Sequence, residues 1–448
     1  MFARLVPQAK ADAAVSLDVS GTNLYNAAGQ QVVLRGVMCG DDYWQFGLSP
    51  SQSSIQTIAN AGCNFFQFEG ILWSTLEPSN GSYSSSYLAV LDNIASQCEA
   101  SHMYFCFDFY GLSQGAPWKV NAIPSWCDVP DQYSAVSDYA DHFVTFEAGF
   151  YDLNNAAYNN ARSAFAACLQ FLADRYESNP YFMIGLFNEP FNPGYSDNYI
   201  GSLDLTDNPT LSAEYAATCT WLYNQIMATG YTGLVEVDNP WCNIGLSSPS
   251  QVTGANVVWD CHAYVCSLWN TTLSGWETGI STLISQYETV MSKPIIMGEW
   301  GYLDSSGNDS DQIPDWATVE NMYQSQISYM DSQNLAGASW FNFDQLYGSG
   351  CDGPNGFQFT SSETSTILSI VSQGAESVPS PQYSPIDFFH QGKVDTQDYF
   401  YFINAYIQYQ TNGIYNPACD LNHDGKIDIE DFFLFIYYYT QNCSISSD

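Results

Sequence analysis

The stretch Phe182-Met183-Ile184-Gly185-Leu186-Phe187-Asn188-Glu189-Pro190 is an apolar run that stops at an amide, a carboxylate and a proline. Apolar residues without alternation indicate a strand buried on both faces, the mark of a parallel sheet. A second run, Pro294-Ile295-Ile296-Met297-Gly298-Glu299-Trp300-Gly301, has the same design and also ends at a glutamate. Working outward, comparable runs occupy Val32 to Met38, Phe65 to Glu69, Met103 to Phe109, Leu234 to Asp238, Val257 to His262 and Gly337 to Phe341. Amphipathic segments such as Tyr87 to Ala100 and Ala157 to Tyr176 lie between them. Eight runs, each separated by room for a helix, predict a (β/α)8 TIM barrel. In that architecture the C-terminal ends of the strands build the site, which singles out Glu189 and Glu299.

Composition sets the limits around this barrel. The 448 residues carry 47 Asp and Glu against 9 Lys and Arg, a formal net charge of -38. With no basic patch, phosphate backbones and anionic membrane surfaces are poor partners. Hydrophobic residues at 46% and aromatics at 16% exclude a disordered chain. No apolar run reaches the ~18 residues of a membrane span. A surface covered by uncharged polar side chains suits a secreted, extracellular protein. Most of the 13 cysteines, among them Cys39, Cys63, Cys106, Cys168 and Cys261, lie in apolar runs and read as buried thiols. Cys419 and Cys443 bracket one motif near the C-terminus and are the pair expected to form a disulfide.

The chain divides into an N-terminal segment (1–20), the barrel (21–371), a Pro/Ser linker (372–385) and a small C-terminal domain (386–443). The N-terminal segment holds Ala9-Lys10-Ala11, the small-residue pattern of a signal cleavage site, without a long apolar stretch ahead of it. All 12 tryptophans precede the linker. The last domain is an internal duplication with an offset of 33 residues: Asp387, His390, Gly392, Lys393, Asp395 and Asp398 recur as Asp420, His423, Gly425, Lys426, Asp428 and Asp431. In the second copy, side-chain oxygens from Asp420, Asn422, Asp424, Asp428 and Asp431, with the Lys426 carbonyl and a turn at Gly425, match a calcium loop. In the first copy Phe389 and Gln391 replace Asn422 and Asp424, so that loop binds calcium weakly or not at all. The expected fold is all-α and EF-hand-like, with Ca2+ as its metal.

Two carboxyl groups at one barrel mouth suit glycosidic bond cleavage, which needs one protonated group to assist the leaving oxygen and one ionised group to attack the anomeric carbon. The ordered motifs resemble glycoside hydrolase family 5. Leu34-Arg35-Gly36-Val37 resembles its first strand, and Gly62-Cys63-Asn64 leads into its second. The resemblance implies that Glu189 is the acid/base and Glu299 the nucleophile of a retaining mechanism. It further implies that Asn188 holds a substrate hydroxyl, that His262 and Tyr264 belong to the site, and that Trp340 is a platform beneath the sugar. Two positions depart from the pattern: Gln67 stands where the family carries an Arg beside the nucleophile, and Tyr110 where it carries a His. Losing a cation should raise the pKa of Glu299 unless Gln67 and Tyr264 compensate.

The expected activity is cleavage of a β-1,4-linked polysaccharide, cellulose or a soluble β-glucan, with no cofactor for the chemistry. Trp44, Trp73, Trp118, Trp126, Trp241 and Trp269 suit an open aromatic cleft. Mannan is the alternative polymer. Leu76-Glu77-Pro78 and Gly115-Ala116-Pro117-Trp118 are similar to the glycolipid-cleaving branch. A non-catalytic glycan-binding barrel is the alternative from another class. The duplicated tail resembles a type I dockerin domain, which implies a cohesin-type partner; its aromatic helices could instead pack on the catalytic domain.

Overall fold

The computed structural model describes residues 16–27, 29–40, 50–110, 123–127, 149–190, 209–239, 250–265, 272–302, 316–341, 343, 346, 359–375, 386, 394, 396–416, 419, 421 and 426–443. Two compact units are present, with their boundary between Val378 and Pro379.

The first unit opens with a small antiparallel sheet, β1 (Leu17–Ser20), β2 (Asn23–Asn26) and β3 (Gln31–Val32). Eight strands then close into a parallel barrel: β4 (Leu34–Cys39), β5 (Phe65–Ile71), β6 (Tyr104–Phe109), β7 (Phe182–Gly185), β8 (Val235–Asp238), β9 (Val257–Val265), β10 (Ile295–Tyr302) and β11 (Gly337–Trp340). Each predicted run overlaps one of them. The side chains described on these strands are buried on both faces, as unalternating runs require. The small sheet lies at the N-terminal end of the barrel, away from the strand ends that form the mouth. Val19 N–H there donates to Asn256, just before β9, at 3.3 Å.

The outer layer comprises α1 (Gln52–Asn60), α2 (Ser85–Ala100), α3 (Asn159–Tyr176), α4 (Pro209–Met227), α5 (Leu273–Leu283, continued by a π-helical Ile284–Val290), α6 (Trp316–Ser332) and α7 (Ser361–Val371). Among the described residues no helix stands between β8 and β9. Local chemistry sets the helix ends. Thr360 and Glu363 form a reciprocal capping box that starts α7, and Ser51 does the same for α1 with Ser54. The end of α7 is tied back to the barrel: Arg35 donates to the Gln373 carbonyl at 3.1 Å and pairs with Asp331 at 2.5 Å. The expected linker therefore begins with residues that belong to the barrel unit.

The second unit holds α8 (Thr396–Asn412) and α9 (Ile429–Cys443) around a core of Ile386, Phe402, Ala405, Cys419, Ile427 and Phe435. The disulfide expected between Cys419 and Cys443 is not formed: Cys419 is a buried free thiol within that apolar core. No helix among the described residues is long and apolar enough to cross a membrane.

Candidate active site

The mouth of the barrel gathers side chains from β5, β6, β8, β9 and β10 and from the end of β7. Glu189 follows β7 with a backbone φ of 42°, the left-handed region that few non-glycine residues occupy. Such a conformation persists where its surroundings hold it. Here the Glu189 N–H donates to Asp238 Oδ2 at 2.8 Å, and the Asn188 N–H donates to the Phe109 carbonyl at 2.7 Å. Glu299 lies on β10, in register with His262 of β9. Gly298 precedes it because a side chain there would collide with Asp260: a Cβ would lie 2.0 Å from Oδ2. The Gly298 N–H donates to Asp260 Oδ1 at 2.6 Å. Two buried aspartates on neighbouring strands thus hold the backbone at or beside both glutamates.

His262 joins the two glutamates. Its Nδ1 is 3.0 Å from Glu189 Oε1 and 3.4 Å from Glu299 Oε2. The Tyr264 hydroxyl donates to Glu299 Oε2. Burial alone would lower the His262 pKa, but Glu299, Asp260 and Glu189 around it outweigh that and hold it well above the ordinary imidazole value. Burial raises Glu299 to about 7, against the opposing pull of His262, Tyr264 and Glu69. The carboxyl group nevertheless keeps some exposure at the mouth, with the side chain 8% accessible.

Below these residues lies a buried acidic layer. Glu69, Asp108, Glu236, Asp238 and Asp260 are all 0–1% exposed. Burial, reinforced by their mutual repulsion, pushes Glu69, Asp108, Glu236 and Asp238 well above the usual carboxyl range. Gln67, the expected replacement for an arginine, sits within this layer rather than against Glu299. Its Nε2 contacts Glu69 and Asp260 at 2.6 Å and Glu236 at 3.1 Å. Three overlapping sets, Glu69/His262/Glu299, Asp238/Asp260/His262 and Asp108/Glu236/Asp238, each bring potential metal ligands within 4.8 Å of one another. Several of the same oxygens already serve the Glu189 and Gly298 backbone and the Gln67 amide, so this donor set is in part committed to holding the protein.

The acidic layer has a signal in the sequence that lies outside the strand-end motifs. Gln67/Glu69, Glu236/Asp238 and Asp260/His262 are spaced by two within apolar strands, the period that puts both members on one face.

Other predicted residues are placed as follows. Asn188 is buried, and its Oδ1 has no partner. Tyr110 is half-buried at the end of β6, its N–H bonded to Ile71. Trp340 is not placed as a sugar platform. It is fully buried, with its ring 5.9 Å from Tyr323 of α6 and 6.0 Å from Phe359, so no face is free. The aromatic ring beside Tyr264 is Phe341, edge-on at 5.8 Å and partly exposed. Trp73 is buried, and Trp126 donates to the Glu77 carbonyl at 2.8 Å. Trp44, Trp118, Trp241 and Trp269 lie outside the described residues.

In the second unit, Asp420, Asn422 and Asp424 lie outside the described residues. Asp431 is buried at the start of α9, where its two oxygens accept the N–H groups of Leu421 at 2.7 Å and Asp428 at 2.8 Å. Lys426 lies exposed two residues before Asp428.

The pattern of the cellulase family, glycosyl hydrolase family 5, matches residues 25–345, most of the chain and all eight strands of the barrel. The chain belongs to this family. It is a glycoside hydrolase, and its substrate is a carbohydrate. Solved structures share the fold. An endogalactoceramidase superposes with a TM-score of 0.58 at 17% identity, covering 80% of this chain and 84% of that one. Endo-glycoceramidase II from Rhodococcus sp., as its lactosyl-enzyme intermediate, gives 0.56 at 18% identity, covering 78% and 80%. XacCel5A gives 0.51 at 14% identity, covering 76% and 98%. No curated protein matches the chain.

Proposed function

We propose that this glycoside hydrolase is a retaining enzyme in which Glu299 is the nucleophile and Glu189 the acid/base, acting on a β-1,4-linked glucan. The observation that carries the mechanism is the shared imidazole nitrogen. Together its two distances limit the separation of the carboxyl oxygens they reach to less than the ~6.5 Å at which inverting pairs begin. Glu299 attacks the anomeric carbon while Glu189 gives its proton to the leaving oxygen. The glycosyl–enzyme ester forms, and the negative charge on Glu299 disappears. Glu189, now ionised, takes a proton from the incoming water, which cleaves the ester and restores both groups. His262 keeps the two carboxyl groups in register, and Tyr264 supports the Glu299 anion without adding charge. The unpartnered amide oxygen of Asn188 is available for a substrate hydroxyl. In this reading the polymer lies outside the cell, and the enzyme is secreted.

A glycolipid is the second substrate reading, favoured by the ceramidase names among the structural neighbours and by the Leu76-Glu77-Pro78 segment. Release of reducing ends from soluble β-glucan, mannan and a glycosylceramide, by wild type and Glu299→Gln, separates these readings. Turnover of glucan by wild type alone supports the first. Turnover of glycosylceramide alone transfers the site to lipid-linked sugars. Binding of glucan without turnover by either protein would make the barrel a glycan-binding module.

For the second unit we propose calcium binding by Asp420, Asn422, Asp424, Lys426, Asp428 and Asp431, supported by their spacing and by the Asp428–Asp431 contact. Phe400 and Phe433, at equivalent positions of the duplication, are 66% and 64% exposed, which supports a cohesin-type partner. Calorimetric titration of the full chain with calcium and with cohesins tests both.

A further inference from the structure

Glu69 and Glu299 present a problem that the barrel must solve. A carboxyl oxygen of each lies within 4.8 Å of the other and of a His262 nitrogen, deep in the barrel. Two buried carboxyl groups so close do not both ionise; one keeps a proton and donates it to its neighbour. The surroundings determine which one. Glu299 accepts from Tyr264, lies nearest the His262 nitrogen that also meets Glu189, and reaches the mouth. Glu69 is 0% exposed, in the layer below. Its Oε1 is 2.6 Å from Gln67 Nε2, the amide two residues earlier on the same face of β5. Its Oε2 accepts from no donor, the condition of an oxygen that carries a proton itself.

We propose that Glu69 is a further catalytic residue, a carboxylic acid that keeps its proton throughout turnover and donates it as a hydrogen bond to the Glu299 carboxylate, with Gln67 fixing its orientation. Burial and the charge of Glu299, with smaller pushes from Asp260 and Asp238 and against the opposing pull of His262, place Glu69 well above the usual carboxyl range, in agreement with this assignment. The hydrogen bond is strongest while Glu299 is an anion and weakens when the glycosyl ester forms. It sustains the nucleophile as an arginine would, without adding a positive charge.

The inference rests on Glu299 being the nucleophile, and the experiment keeps the two apart. The probe is a 2,4-dinitrophenyl 2-deoxy-2-fluoro-β-cellobioside. Its leaving group needs no acid, so the rate of trapping reports the ionisation of the nucleophile alone. Mass spectrometry locates the adduct, and the rate is measured against pH for wild type, Glu69→Gln and Glu69→Met. Glu69→Gln keeps a donor. Its acid limb should stay within a few tenths of a pH unit of wild type, with trapping slowed only a few-fold. Glu69→Met removes the donor. Its limb should rise by about one unit, with trapping about 10²-fold slower. If Glu69 were an anion, either substitution would remove a repelling charge and both limbs would move to lower pH, which overturns the proposal. Should Glu69→Met fail to fold, the direction seen in Glu69→Gln alone decides. An adduct on a residue other than Glu299, or none, overturns the nucleophile assignment and this role with it.

Discussion

Asp238 holds Glu189 by its backbone: one buried carboxyl oxygen accepts the N–H of a residue whose φ is 42°, at 2.8 Å. Without that acceptor the left-handed conformation has one anchor fewer, and the side chain it aims loses its position. We expect Asp238→Ala to lower kcat by about 10²-fold, the cost of a misplacement near 1 Å, with little change in KM. Asp238→Asn keeps an acceptor oxygen and should retain most of the activity. Steady-state kinetics with near-ultraviolet circular dichroism as a fold control checks this.

Glu189 and Glu299 should separate by leaving group. Glu189→Gln is expected to lose about 10² to 10⁴ of kcat on a polysaccharide, the range for a general acid. With a dinitrophenyl glycoside, whose phenolate departs unaided, the first step should be nearly unaffected and deglycosylation should become limiting. Glu299→Gln should be inactive on both substrates. A burst of dinitrophenol from Glu189→Gln alone is the signature.

Gly298 and Asp260 occupy one space. Adding a methyl at Gly298 drives it into the Asp260 carboxyl, so Gly298→Ala should displace Asp260 and lower activity at least tenfold. Because both changes disturb the same contact, the double variant Gly298→Ala/Asp260→Ala should be no worse than the poorer single variant. A double-mutant cycle on kcat/KM reads this non-additivity directly.

The barrel should be more stable in acid than at neutral pH. Glu69, Asp108, Glu236 and Asp238 all have folded pKa values raised well above those of the unfolded chain. Their contribution is therefore fully present below pH ~4, where both states are protonated. It is lost as pH rises toward the folded values, because the unfolded chain gains charge that the native chain cannot. Thermal unfolding should move down on the order of 10 °C between pH 4.5 and 7.5. A Tm that rises over this range would mean that these groups are ionised in the fold.

Chelation should divide the molecule. Removing calcium is expected to lower the unfolding temperature of the region after Ser384 while leaving glycosidase activity within twofold. Differential scanning calorimetry of the full chain, with activity measured in the same buffer, tests this; loss of all activity on chelation would contradict it.

The barrel and its two glutamates could be read from the sequence because parallel strands announce themselves as unbroken apolar runs. Glu189 and Glu299 stand where such runs stop. Trp340 was misplaced for a related reason. A four-residue strand, Gly337–Trp340, is too short for its alternation to show which residues face inward, so the ring that packs on Tyr323 could not be told from the one beside Tyr264. The resemblance sets Gln67 where the family has an arginine beside the nucleophile, with compensation of Glu299 open to Gln67 and Tyr264. The Gln67 amide instead meets Glu69, Asp260 and Glu236, because it stands on the face of β5 that turns toward the acidic layer. Nothing in the sequence marked the backbone strain at Glu189, since it depends on Asp238 some fifty residues later.

The formal charge of -38 counts every carboxyl group as ionised, including those that the barrel keeps in its dry interior. With Glu69, Asp108, Glu236 and Asp238 pushed well above the usual carboxyl range, that figure should be too large for the native protein at neutral pH, the difference being stored as bound protons. Unfolding therefore releases acid. In calorimetry at pH 7 the apparent unfolding enthalpy should vary with the ionisation heat of the buffer, and the slope of that dependence would count the carboxyl protons that the fold retains.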